Sequence, residues 1–273
     1  MSRILITGMG GSIGSELARQ LAPKHKIFGI DINETAVYRV REELKQKGYW
    51  VHSRTGDIRN KSTLSDVFED FKPEIVYHCA ALKNVTPSEE YPREAIDTNI
   101  LGTDNVIAEA KRWECLEKFV FISTDKVVNA KCIMGITKKC AEGLVTRAGP
   151  NFVAVRFGNV LNSSGSVLEI WRKQSEEGKP LTITSPKMKR YTMSIPDAVK
   201  LVIEAGEKGK NGEIWIMDMG KPKTIMQLKR EYFPKDKYQV IGMRDGEAME
   251  EQLMTLEEQT RAIKQNNFYI VCQ

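Results

Sequence analysis

Short, nearly continuous apolar runs rich in Val, Ile and Phe recur through the first 160 residues. Longer stretches separate them, in which apolar positions return every three or four residues. The first pattern fits strands buried on both faces, and the second fits amphipathic helices. Strands are therefore expected over Arg3–Thr7, Ile27–Asp31, Trp50–Thr55, Ile75–Ala80, Phe119–Ser123 and Phe152–Phe157. Helices are expected over Ser15–Leu21, Ala36–Lys47, Lys61–Phe68, Arg93–Arg112 and Ile133–Arg147. Their alternation predicts an α/β fold built on a doubly wound parallel sheet.

After Phe157 the rhythm breaks. Gly, Ser and Asn gather in Gly158–Gly165. A helix is expected over Val167–Glu177, short strands near Leu181–Thr184 and Tyr191–Ser194, a helix over Pro196–Ala205 and a strand over Glu213–Met217. This divides the chain into a sheet-forming unit, residues 1–160, and a smaller second region, residues 161–273, over the open edge of the sheet. The strand near 213–217 is a candidate to rejoin the main sheet. The charged stretch Glu247–Glu258 reads as a surface helix.

Composition changes this picture little. With 273 residues, 41% hydrophobic and 28% charged, the chain has the profile of a soluble globular protein. No secretory signal and no apolar run of membrane-spanning length is found, so a cytoplasmic protein is expected. The net charge of +5 is too modest to argue for nucleic acid. Five scattered Cys without a C-x-x-C pair fit reduced thiols, not a metal site or a disulfide frame.

The first strand runs into Thr7-Gly8-Met9-Gly10-Gly11-Ser12-Ile13-Gly14. Glycines at 8, 11 and 14 permit a tight turn and a close approach of backbone N–H groups to a pyrophosphate at a helix start. Asp31 follows at the end of the second strand, where its carboxylate can accept from a ribose diol and repel a 2′-phosphate. The next residues, Ile32, Asn33 and Glu34, offer no cation. NAD is expected over NADP. Asp57, in Gly56-Asp57-Ile58-Arg59, is placed to accept from an adenine amine, or simply to close a strand-end turn.

Several segments together resemble the extended short-chain dehydrogenase/reductases. They are TGMGGSIG, GDIR (56–59), HCAALKNV (78–85), TNILGT (98–103), STDKVVN (123–129), MGITKKCAE (134–142), RFGNVLNSSGSV (156–167) and GMRDGE (242–247). Within that Rossmann-type superfamily they look like the UDP-N-acetylglucosamine 4,6-dehydratases of polysaccharide and glycan biosynthesis. More narrowly, they resemble the subset with Met where the superfamily carries a catalytic Tyr, here Met134. The resemblance covers nearly the whole chain. It departs where the family's G-x-R-P-G-E-K reads Gly242-Met243-Arg244-Asp245-Gly246-Glu247-Ala248, and in the turn Asn84-Val85-Thr86. A chain without the membrane-spanning leader of larger Met-type relatives is expected.

The resemblance implies bound NAD, a UDP-sugar substrate and a homo-oligomer, with Arg93–Arg112 and Ile133–Arg147 as a contact surface. It makes Asp125 the acid that protonates the departing 6-hydroxyl and Lys126 the base at carbon 5. Because an ion pair would oppose the pKa shifts these roles need, the two groups are expected to diverge or to share substrate atoms. Lys138 lies four residues after Met134, on the same helix face, and is expected at the nicotinamide ribose. Met134 can only pack, so Thr124, or a water it orders, is expected to take the 4-hydroxyl proton and relay it toward Lys138. The cofactor wall is expected to include Ile58, Ala80, Ala81, Lys83 and Asn99 beside Gly8, Gly11, Ser12, Ile13, Gly14, Asp31 and Asp57. Substrate contacts are expected from Lys83, Asn159, Arg190, Arg244 and Glu247, the two arginines as phosphate clamps. His78 reads as a packed strand residue, and Trp171 and Trp215 as core. An inverting dehydratase, a nucleotide-sugar 4-epimerase and a non-catalytic NAD-binding regulatory or scaffold protein remain as alternatives.

Overall fold

The computed structural model describes residues 1–272. Six strands of the first half are β1 (Arg3–Thr7), β2 (Lys26–Asp31), β3 (Val51–Thr55), β4 (Ile75–His78), β5 (Lys118–Ile122) and β6 (Phe152–Arg156). The helices among them are α1 (Ser12–Leu21), α2 (Glu34–Gln46), α3 (Lys61–Phe71), α4 (Val85–Glu90), α5 (Pro92–Ile96), α6 (Thr103–Lys111) and α7 (Ile133–Thr146). The fold is the expected doubly wound one. Strands run in the order Ile263–Gln265, Phe268–Val271, Ile214–Met217, β6, β5, β4, β1, β2, β3. Neighbours are parallel from Ile214–Met217 to β3. The last two strands add an antiparallel hairpin at the edge. Three of the nine strands thus come from beyond residue 160.

The chain winds from β1 outward to β3, then crosses back to β4 on the other side of β1. That reversal opens a crevice above the carboxyl ends of β1 and β4, where such sheets bind ligands. Apolar side chains fill both faces. One layer gathers Leu17, Val37, Tyr77, Val155, Val202 and Trp215, and the other Leu5, Phe68, Phe119, Phe121, Val145 and Ile216. A satellite core around Trp171, Leu181, Ile183 and Leu228 carries the smaller region. Among the described residues, no helix is long and apolar enough to cross a membrane.

Two elements differ from expectation. The helix expected over Arg93–Arg112 is broken by a π-helical stretch, Asp97–Gly102, between α5 and α6. In that stretch Asn99 turns inward to bond the Leu82 backbone, and Gly102 lies so close to Ile58 that a Cβ would meet its Cδ1 at 2.8 Å. The surface helix expected over Glu247–Glu258 is irregular chain followed by a short helix, Leu256–Arg261. Backbone groups of the irregular part are used elsewhere: Met249 O accepts from Lys189 N at 2.8 Å, and Ala248 O accepts from Arg190 at 2.8 Å. Glu258 is buried and paired, not surface-exposed.

Candidate active site

β1 delivers the glycine turn to the crevice. Gly8 sits at φ +70°, and a Cβ there would lie 2.7 Å from Ala80 N. At Gly14 a Cβ would collide with the Gly8 carbonyl, so only glycine lets α1 start this close to the strand. No side chain caps the α1 N-terminus, which leaves its first-turn N–H groups for a ligand. Asp31 accepts from Gly10 N at 2.8 Å through one carboxylate oxygen and from Asn33 N at 2.8 Å through the other. The same side chain therefore braces the glycine turn and faces the cleft.

The cleft above this turn encloses about 740 Å³. Gly8, Gly11, Ser12, Ile13 and Gly14 form its floor, and Asp31, Asp57 and Ile58 one end. Ala80, Ala81 and Lys83 form a side wall. Thr124, Lys126, Met134, Lys138 and Asn159 line the other end. Asp57 is held by Arg59, which bonds it at 2.6 Å and also pairs with Glu94. Asn99 does not reach the cleft. It is buried and bonds Leu82 N, Leu82 O and Thr137 Oγ1, which corrects its expected cofactor contact to a brace behind the side wall.

At the end of β5 the chain enters a single 3-10 turn, Asp125–Val127, capped by Thr124. Asp125 N donates to Phe157 O at 3.1 Å, which ties the turn to the strand beside it. Asp125 is 0% exposed. Its Oδ1 accepts from Lys126 Nζ at 3.0 Å and from Thr124 Oγ1 at 3.0 Å, while its Oδ2 has no partner among the described residues. The expected divergence of carboxylate and ammonium is thus not found. An ionised carboxylate out of water needs a counter-charge, and the adjacent ammonium supplies it. The reachable members of the trio are Thr124 and Lys126, because Asp125 lies behind the cleft wall.

Met134 and Lys138 share the inner face of α7. Met134 is 3% exposed. The Lys138 ammonium donates to Ile122 O at 2.5 Å and stands 3.9 Å over the Phe121 ring. Burial lowers its pKa to about 7, partly offset by Cys79 and Glu142. His78, which donates and accepts between Thr7 Oγ1 and Thr103 Oγ1, is pushed down to about 3 by burial and stays neutral. It is a packed strand residue, as expected.

The substrate contacts expected from the second half are rearranged. Asn159 borders the cleft and faces Lys126 Nζ at 3.5 Å. Arg190 also borders it, but its guanidinium donates to the carbonyls of Lys189, Ala248 and Met249, so it ties chain segments together. Arg244 is exposed and lines neither cavity, and Glu247 accepts from Arg244 N at 3.1 Å to close its own turn. Neither arginine stands as a phosphate clamp. Lys83 donates to Ser164 O at 2.5 Å.

Three features went unread in the sequence. Glu251 approaches Lys126 Nζ at 3.9 Å with its side chain 10% exposed. A second cavity of about 770 Å³ lies beyond Lys126, which is a wall of both cavities. Arg156 bridges Glu142 at 2.6 Å and Glu258 at 3.0 Å, fastening α7 and the C-terminal helix to β6. Only the second could not have been suspected from charge alone. Glu251 stood in a charged stretch read as surface, and Arg156 in a strand otherwise apolar.

Fold and site define an α/β protein of the extended short-chain dehydrogenase/reductase class. Over residues 4–273 the chain matches, and belongs to, the polysaccharide biosynthesis protein family. It is 42% identical over 272 residues to the capsular polysaccharide biosynthesis protein CapD of Staphylococcus aureus, covering 93% of this chain and 45% of that one. The chain thus spans about half the length of that relative. It is 36% identical over 284 residues to a UDP-glucose 4-epimerase of Rickettsia bellii, covering 97% of this chain and 81% of the relative. The X-ray structure of Pen from Bacillus thuringiensis superimposes with TM-score 0.94 at 32% identity, over 100% of this chain and 89% of that one.

Proposed function

We propose that the protein is a nucleotide-sugar 4,6-dehydratase that holds NAD in the long cleft and acts on a UDP-N-acetylhexosamine, UDP-N-acetylglucosamine foremost. The observation that carries this reading is the ion pair of buried Asp125 with half-buried Lys126, which meets the cleft through Thr124 and Lys126. A 4-epimerase needs no acid and base of this kind for carbons 5 and 6. A cofactor sensor has no use for them at all.

The residues present fit NAD. The glycine floor has no room for a Cβ at positions 8 and 14, and Asp31 faces the cleft with no cation among the next three residues. Bound NAD would take a hydride from sugar carbon 4 and supply one to carbon 6. Lys138 would hold its nicotinamide ribose, and Met134 would pack beside the sugar without proton chemistry.

Proton bookkeeping falls to this chain's own groups. Thr124 Oγ1 accepts the 4-hydroxyl proton and, already bonded to Asp125 Oδ1 at 3.0 Å, passes its own proton inward. Asp125 becomes the neutral acid. Neutral Lys126 then takes the carbon 5 proton, and the proton stored on Asp125 returns through Thr124 to the departing 6-hydroxyl, which leaves as water. Lys126 gives its proton back to carbon 5, with retention favoured by the Met-type resemblance. Acid–base participation of this kind typically contributes ~10²–10⁴-fold in rate.

Incubation with UDP-N-acetylglucosamine and mass spectrometry tests the reading. Loss of one water with NAD retained supports it, and an unchanged substrate rejects it. The second reading, a 4-epimerase, is favoured by the likeness to the R. bellii protein. It predicts a product of unchanged mass, and proton NMR of the product separates it from a retaining or inverting dehydratase.

A further inference from the structure

The dehydration reading, on which this inference rests, leaves one proton without a place. Asp125 and Lys126 begin as an ion pair at 3.0 Å. The reaction needs Asp125 protonated and Lys126 neutral together. The 4-hydroxyl proton satisfies Asp125, but Lys126 still carries its own. It must be set down somewhere before the amine can attack carbon 5, and recovered before the next turnover.

We infer that Glu251 is the residue that receives this proton, acting through Lys126 and not on the substrate. Glu251 Oε1 lies 3.9 Å from Lys126 Nζ, a gap that rotation about the terminal bonds of the lysine closes. Its side chain is 10% exposed, on the far side of Lys126 from the cofactor cleft, in the wall of the second cavity. The chain on either side of Glu251 is fixed: Ala248 O accepts from Arg190, Met249 O from Lys189 N, and the Gln252 side chain from Asn129 Nδ2 at 2.9 Å. A carboxyl that receives a proton from an amine must itself be easy to protonate. Burial raises the Glu251 pKa; the ammonium of Lys126 opposes this, Asp125 adds to it, Arg190 opposes, and Glu247 adds. When Lys126 gives up its charge, the strongest opposing group disappears and Glu251 becomes a better acceptor at that moment.

The cycle then closes. It starts with Asp125 and Glu251 ionised and Lys126 charged. The 4-hydroxyl proton goes to Asp125, and the ammonium proton goes to Glu251. The carbon 5 proton goes to Lys126, and the Asp125 proton leaves in water. Lys126 returns a proton to carbon 5, and Glu251 recharges Lys126. No proton is gained or lost beyond the water expelled.

The test uses the NAD-loaded protein and E251Q, with E251D for rescue. The amide cannot accept a proton, so Lys126 must lose it to solvent. We expect E251Q to lose on the order of 10²-fold in kcat near neutral pH with KM little changed. Its activity should recover as pH rises, and E251D should regain part of the loss at neutral pH. A Glu251 that merely adds negative potential beside Lys126 predicts the reverse, activity moving to lower pH in E251Q. A purely structural Glu251 predicts no change in pH profile. Either result overturns the inference. A second measurement does not depend on turnover. The Glu251 carboxyl, followed by carbon-13 NMR in the NAD-bound protein, should titrate above the ordinary carboxylate range, and higher still in K126M. Titration in the ordinary range, unmoved by K126M, overturns the inference even if the wild type proves to have no dehydratase activity; that latter result alone overturns only the reading of function.

Discussion

The Ser164 amide donates to Ser12 Oγ at 3.0 Å, joining residues 152 positions apart across the mouth of the cofactor cleft. The loop after β6 is thereby tied to the glycine turn after β1. Lys83, from the wall after β4, secures the same loop through Ser164 O. Lys83→Met removes one of these ties and no group beneath the cleft floor. With a net hydrogen-bond contribution of about 1 kcal/mol, NAD should leave roughly five-fold faster. Stopped-flow displacement by excess cofactor analogue measures it, and an unchanged release rate would show that the loop is held without Lys83.

Thr124→Val keeps the shape of the cleft wall and removes the hydroxyl that bonds Asp125. Hydride uptake by NAD, read as absorbance at the reduced nicotinamide band in a single turnover, should fall by about 10²-fold while NAD affinity holds. Met134→Ala should retain most activity, because a thioether moves no proton. Normal turnover in Thr124→Val, or collapse in a folded Met134→Ala, would reverse these assignments.

Lys138 carries a pH signature. Burial lowers its pKa from the ordinary 10.5 to about 7 in the folded protein. Between those values the unfolded chain binds a proton that the folded chain does not. Stability of the cofactor-free protein therefore rises with pH across that window, and the full cost of charging the buried amine is felt below about 7. Denaturant unfolding at a series of pH values should show this rise. Lys138→Met should remove that part of it, leaving whatever the remaining groups contribute.

The Arg156 bridge gives a stability prediction. Glu142 and Arg156 are both buried, and Ser123 Oγ adds a bond to Glu142 at 2.5 Å. Arg156→Met strands two carboxylates in apolar surroundings, which costs ~3–5 kcal/mol. For a chain of this size that is a drop of about 10 °C in Tm. Calorimetry decides it, and a shift of only a degree or two would mean the C-terminal helix carries no such anchor.

The sheet was legible because a parallel strand buried on both faces leaves an uninterrupted apolar run, as β5 and β6 do. The glycine turn and Asp31 were legible because steric need fixes residue type there. Less visible were features that depend on distant partners. The final strands Ile263–Gln265 and Phe268–Val271 pair at an edge, and the first is exposed throughout, so no apolar pattern announces it. Arg244 and Glu247 fall where the chain partly matches the family's G-x-R-P-G-E-K, yet Arg244 is exposed and Glu247 closes its own turn. The Asp125–Lys126 contact was misjudged because pKa needs of a reaction were read as the resting arrangement. Resting geometry obeys desolvation first.

Gly158 offers the sharpest check on the unpartnered Asp125 oxygen. A Cβ at this position would come within 3.2 Å of Asp125 Oδ2, 2.8 Å of Tyr191 Cβ and 2.9 Å of Tyr191 O. The last is backbone and cannot swing aside as a side chain can. Gly158→Ala must therefore displace either the chain at Tyr191 or the acid. Both sit next to the carbon 5 and carbon 6 chemistry and away from the glycine floor. We expect NAD binding within two-fold of wild type and a loss of dehydration on the order of 10²-fold, the range typical of one misplaced proton-transfer group. Gly149→Ala is the matched control. Its Cβ would meet only Phe152 ring atoms, at 3.5 Å and 3.6 Å, and should change neither property. Equal activity in the two alanine variants would mean that the space beside Asp125 Oδ2 has no part in catalysis, and the acid would have to be sought among the carboxylates of the second cavity.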